Sequence, residues 1–130
     1  MDKMKKEVIV PKGGARPLAP YSPGIRAGNF VYTSGQIGLN PETGKLVSGG
    51  VKAETGQALE NLSKILDAAG SSLAQVVKVT VYLKDIDDYG LVNEVYASYF
   101  VDNPPARAII QGALPAGAYV EFDAVAIVDD

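Results

Sequence analysis

The chain contains no cysteine and no histidine. Without cysteine there are no disulfides, no thiolate nucleophile and no thiolate metal ligands. Without histidine there is no Ser-His-Asp triad and no histidine-ligated zinc. Acid–base chemistry is left to Asp, Glu, Lys, Tyr and bound water. A metal site would have to be built from oxygens, and no calcium-loop spacing is present, so no metal and no cofactor are expected. A basic tract is also missing. Twelve Lys and Arg stand against fifteen Asp and Glu, a net charge of −3, so nothing points to nucleic acid or an acidic membrane as partner. No apolar run is long enough to span a bilayer. The opening "MDKMKKEVIV" has neither the apolar segment nor the cleavage site of a signal peptide, which makes a cytoplasmic location the expectation.

What is present describes one soluble domain over residues 1–130. The 130 residues are 47% apolar and 21% charged, enough for a real core and too few for two domains. "KEVIV" (6–10) reads as a short strand and 11–24 as a Gly/Pro loop. Residues 29–39 read as a strand from their alternation, and 40–50 as a turn region. Residues 51–69 have helical periodicity and meet a natural stop at Gly70. "QVVKVTVYL" (75–83) is the clearest strand, with Val77, Val79, Val81 and Leu83 on one face and Lys78, Thr80 and Tyr82 on the other. A second helix opens at Asp85, with Asp87 and Asp88 in its first turn and an apolar stripe of Val92, Tyr96, Tyr99 and Phe100. Strands at 107–113 and 118–128 follow, joined by "LPAG". The order β-β-α-β-α-β-β implies an α+β sandwich with both helices on one face of the sheet. The other face carries Lys78, Thr80, Tyr82, Glu121, Asp123 and Ile127. It is either wet or buried in a symmetric oligomer.

Several residues carry possible chemistry. Between Asp102 and Glu121 the only charge is Arg107, preceded by two prolines. It is either a structural ion-pair or snorkelled residue, or a planar fork for a carboxylate. Glu121 shares a strand face with Asp123. It is either an inter-subunit ion-pair partner or a carboxylate that positions and deprotonates a water. Tyr21 in "APYSPG" and Ser34, Gly35 and Gln36 in "YTSGQIG" are turn and strand polarity, or else a pocket wall of ring, hydroxyl and backbone donors. Asn93, mid-helix in "LVNEVY", is a poor helix former, and a surface position is the simpler account of it.

Taken together, "PYSPG", "YTSGQIGLNPETGKLV", "VVKVTVYLKDIDDYGLVNEVYASYF", "PPAR" and "VEFDAVA" resemble the RidA/YjgF family of reactive intermediate deaminases, in order and over nearly the whole chain. The resemblance implies a chorismate-mutase-like fold, a mixed sheet with two helices on one face. It implies a homotrimer around a central β-barrel, with sites in the clefts between subunits. It implies hydrolysis of 2-imino or enamino acids, formed by PLP-dependent dehydratases, to 2-keto acids and ammonia. In those sites Arg107 binds the substrate carboxylate and Glu121 helps position the water. Tyr21, Ser34, Gly35, Asn93 and Ile109 match pocket positions. Ile109 stands where the family often has Cys, Ser or Thr, and the segment from Arg107 to Pro115 is one residue shorter than usual, with Gly112 marking where the strand adjusts. Pro23 replaces a common glutamine. Two other readings stay open: an RNA-acting protein of the endoribonuclease or translation-inhibitor kind, and a regulatory trimer that binds small carboxylates without turnover.

Overall fold

A computed structural model describes residues 4–13, 17 and 19–129. Six strands form one sheet: β1 Lys6–Ile9, β2 Gly24–Ala27, β3 Phe30–Thr33, β4 Val76–Leu83, β5 Ala106–Gln111 and β6 Val120–Ile127. The helices are α1 Val51–Ala68 and α2 Tyr89–Tyr99. The strand order is β1-β2-β3-β6-β4-β5. Pairing is antiparallel except between β4 and β5, which run parallel because α2 carries the chain back between them. The architecture is α+β with a mixed sheet, as expected. No described helix is long and apolar enough to cross a membrane.

The core lies between the helices and one sheet face. Leu59, Leu62, Ile65 and Leu66 of α1 meet Val79, Val81 and Leu83 of β4 and Phe122 of β6, all fully buried. Each such side chain contributes about 1.5–3 kcal/mol by leaving water. From α2, Val92 and Tyr96 join this layer, and the Tyr96 ring stacks near Phe122 at 6.3 Å. Helix α1 ends as its sequence specifies. Gly70 turns at φ 81°, its N–H reaches Asp67 O, and the Ser71 N–H reaches Leu66 O at 2.8 Å.

Four expectations need correction. The loop read over 11–24 runs one residue too far and the strand after it is missed: Gly24–Ala27 is β2, paired with both β1 and β3. Only four residues long, it is too short to show a period. The strand read over 29–39 is regular only over Phe30–Thr33; beyond it the chain touches β6 through one bridge, Gln36 to Phe122. In β4 a register shift between Val76 and Lys78 turns Val77 out of the core, where it is 42% exposed, and Val76 takes the buried place. Finally, Asp85 caps a single 3₁₀ turn, Ile86–Asp88, through the Asp87 N–H at 2.9 Å, and α2 proper begins at Tyr89.

Candidate active site in two halves

Arg107 occupies the second position of β5, directly beside Val79 in the parallel register. Neighbours in register share a face, so Arg107 points to the helix side, under α2. Its Nη1 donates to Asn93 Oδ1 at 2.8 Å and its Nη2 to Tyr89 Oη at 3.3 Å. The guanidinium carbon lies 4.8 Å from the Tyr96 ring centre and 5.6 Å from that of Tyr89, within cation–π range. Tyr89, Asn93 and Tyr96 stand at i, i+4 and i+7, one stripe of α2. Every one of these partners is uncharged, and the ion pair found among the described residues, Lys52–Glu94, is elsewhere. Arg107 also lines a cavity of about 400 Å³ with Asn93, Tyr96, Phe100, Pro104 and Pro105. The Tyr96 hydroxyl is buried and unpartnered among the described residues. Burial pushes its proton affinity up more than the Arg107 charge pulls it down.

Glu121 leaves the opposite face. It is the register partner of Tyr82, on the side of β4 away from the helices. Burial, and secondarily the charge of Asp123, hold its carboxyl above the usual glutamate range. The chain after β3 folds over this carboxylate. Gln36 exchanges backbone bonds with Phe122 at 2.7 and 3.0 Å, which brings Gly35 so close that a Cβ there would sit 2.6 Å from Glu121 Oε2. A side chain at 35 would push the Glu121 carboxylate out of this position. Ser34 donates its hydroxyl proton to the Ser22 carbonyl. Its proton is therefore committed to holding the Tyr21 loop, and its lone pairs remain.

The expected site residues thus fall into two groups. Arg107, Asn93 and Ile109 lie on the helix face, where Ile109 packs against the core. Glu121 and Gly35 lie together on the other side, with Ser34 next along the chain, while Tyr21, about half exposed, belongs to neither group. A larger cavity of about 450 Å³ runs beside Tyr21, Gln36, Asn61 and Ile65. It includes neither Arg107 nor Glu121, and the smaller cavity, which holds the cation, is the better candidate for chemistry. Within the segment from Arg107 to Pro115, β5 keeps an unbroken register from Ala106 to Gln111. Tyr89, which pattern reading did not single out, and Tyr96, which it placed in the apolar stripe of the second helix, both pack against the Arg107 guanidinium. Their spacing about Asn93 was the available signal.

Among the described residues no cluster of three or more acids is placed to hold a metal. The fold is a histidine-free α+β domain with an arginine held by uncharged partners on one sheet face and a separate, partly desolvated carboxylate on the other. The family model for Endoribonuclease L-PSP matches residues 13–128, and the chain belongs to this family, also called RidA/YjgF. The human 2-iminobutanoate/2-iminopropanoate deaminase is 47% identical over 128 residues, covering 98% of this chain and 93% of its own. A RutC family protein of Pyrococcus horikoshii is 48% identical over 122 residues, 93% of this chain and 97% of that one. The crystal structure of E. coli TdcF with bound serine superposes with a TM-score of 0.88 at 33% identity, covering 95% of this chain and 99% of that one.

Proposed function

We propose that the chain is a cofactor-independent hydrolase that converts reactive 2-imino or enamino acids to 2-keto acids and ammonia. It acts as a homotrimer whose sheets close a central barrel. Each site joins the Arg107 half of one subunit to the Glu121 half of the next. Arg107 anchors the substrate carboxylate, Asn93 and Tyr89 hold the guanidinium, and Glu121 orients the water that adds to the imine carbon. Tyr21, Ser34, Gly35 and Ile109 shape the pocket. An imine carbon is already electrophilic, so a placed water and a fixed carboxylate suffice.

The observation that carries this reading is the division of the site. Arg107 and Glu121 leave opposite faces of one sheet, so a single chain does not bring them together, whereas two copies can. The face bearing Glu121 also exposes Phe30, Tyr32, Ile110 and Ile127, the composition of a subunit contact. The activity is supported by relatives named as imine deaminases. The carboxylate clamp is supported by a homologous fold solved with serine, an amino acid. An RNA-acting role has less support from this chain, given a net charge of −3 and no histidine.

Subunit mixing tests the division directly. Arg107→Ala and Glu121→Gln proteins are each expected to be inactive in a dehydratase-coupled imine assay. Co-refolded in equal amounts, they should regain about a quarter of wild-type activity, the fraction of random interfaces that unite an intact Arg107 with an intact Glu121. No recovery, with mixed trimers verified by mass, rules out the shared site.

A further inference from the structure

The carboxylate half contains a second acid that the reading above leaves without a task. Asp123 follows Glu121 by two residues on β6, so both side chains leave one face. Opposite them on β4 stand Tyr82, in register with Glu121, and Thr80, in register with Asp123. Tyr82 reaches across the diagonal, and its hydroxyl donates to Asp123 Oδ2 at 2.9 Å.

The surroundings of the cluster are sparse in charge. Just past β4, Lys84 lies over the Tyr119 ring at 5.4 Å, and Lys78 of β4 stands further along, beside Val125. Neither makes an ion pair with the cluster. From β3 the same face presents Tyr32, and from β5 the apolar Ile110. Gly35 covers Glu121 with backbone. Two carboxylates on one face without a paired cation repel one another, and at Glu121 this repulsion adds to burial. Asp123 accepts from the Tyr82 phenol, which holds its side chain in place. Glu121 receives no side-chain hydrogen bond from the described residues, and its carboxyl is the one held high. The Tyr82 phenol is itself held above its usual range, first by its bond to Asp123.

We propose that Tyr82 and Asp123 are positioning residues for Glu121: the Tyr82 hydroxyl anchors the Asp123 carboxylate on the Glu121 face of the sheet, and the acid beside it, Glu121, is the one that exchanges a proton with water. The inference rests on the deaminase reading for its chemical use. As the water oxygen bonds to the iminium carbon, its proton moves to Glu121 and the C=N pair moves onto nitrogen. That proton then passes to the nitrogen. As the hydroxyl becomes C=O, its proton goes to Glu121 and the C–N pair leaves with ammonia. Glu121 hands this last proton to the ammonia, which departs as ammonium, and the carboxylate is restored. An acid whose proton affinity is raised performs these transfers better than an ordinary glutamate.

The test is carbon-13 NMR of protein labelled at the glutamate side-chain carboxyl, with the Glu121 signal assigned by its loss in Glu121→Gln. In wild type its titration midpoint should lie above that of the exposed glutamates. Asp123→Asn should move it down by removing the like charge. Tyr82→Phe should also move it down, because Asp123 is then no longer held beside Glu121. Tyr82→Phe added to Asp123→Asn should produce no further shift. If both single variants fold, as judged by thermal melting, and the midpoint stays put, the positioning role is wrong and Tyr82–Asp123 is a structural contact. Should Asp123→Asn fail to fold, Tyr82→Phe decides alone. The acid limb of the pH–turnover profile should follow the midpoint. A midpoint that moves while the limb does not would uphold the coupled pair and remove Glu121 from the reaction, so the two readings fail separately.

Discussion

Gly35→Ala separates the chemistry from the fold more cleanly than any change to a charged residue. A Cβ at position 35 meets Glu121 Oε2 at 2.6 Å, Cδ at 2.8 Å and Cγ at 3.1 Å. Ordinary contact begins near 3.4 Å, so the carboxylate must retreat by about 0.8 Å. Gly35 is not in the left-handed backbone region, and alanine is compatible with its conformation. The obstructing atoms belong to the end of a flexible side chain, so stability should change by less than about 1 kcal/mol. A misplacement of this size in a reacting group costs on the order of 10²-fold in rate. The expectation is therefore a protein with near-wild-type melting, unchanged affinity for a 2-keto acid at the Arg107 half, and about a hundredfold lower turnover in the dehydratase-coupled assay. Gly38→Ala is the contrast. There the added Cβ lies 2.8 Å from Glu54 Cα and from its carbonyl oxygen, backbone that has to move, so this variant should lose about 1–3 kcal/mol of stability. Turnover of Gly35→Ala within threefold of wild type would show that the position of Glu121 does not govern the reaction.

Two further predictions follow from the half-sites taken singly. Arg107→Ala should weaken calorimetric binding of 2-oxobutanoate by about 2–5 kcal/mol, and Arg107→Lys should not restore it, since one ammonium cannot reproduce the paired donors; equal binding by wild type and Arg107→Ala would return Arg107 to a structural role. Glu121→Gln should lose turnover and yet gain stability relative to wild type as pH rises. The Glu121 carboxyl is held above its ordinary value, so the stability it lends is complete below the unfolded glutamate value and is lost as pH climbs through the raised folded value. Urea unfolding of both proteins at acidic and neutral pH, at one fixed protein concentration, reads the difference, and a gap that does not widen in favour of Gln would contradict it.

Long periodic elements were legible in the sequence, and short or irregular ones were not. Helix α1 and its Gly70 stop follow from apolar spacing and one left-handed residue. Strand β4 was equally plain, yet its bulge was not. Val76 and Val77 are both valine, and alternation alone cannot say which of them faces the core. Strand β2 escaped because four residues, Gly24–Ala27, carry no period and sit beside a proline-rich loop. At the candidate site, motif resemblance singles out Arg107, Glu121, Gly35 and Asn93, but it does not show their division between two faces. Parity along a single strand fixes the relative facing of Glu121 and Asp123. It cannot relate Arg107 on β5 to Glu121 on β6, because that depends on the registers of both strands against β4. Asn93 was read as surface because asparagine disfavours helix interiors. Its amide instead accepts from Arg107, a tertiary contact that propensity does not encode.

The uncharged setting of Arg107 has a consequence for how the reaction ends. Asn93, Tyr89 and Tyr96 hold the guanidinium without neutralising it, so binding an anion requires no internal ion pair to be broken. The keto acid formed by hydrolysis keeps the carboxylate of the imine it came from. As the proposed clamp, Arg107 would grip both alike, and its binding energy would favour neither the forward step nor the release of what is made. Product inhibition follows, competitive with substrate, and acetate, formate or citrate in an assay buffer should compete for the same fork. Only the region around the reacting carbon, where a planar keto group replaces a protonated nitrogen next to the partner's carboxylate, distinguishes the two. Turnover at high keto-acid concentration is then governed by dissociation from Arg107 rather than by the addition of water.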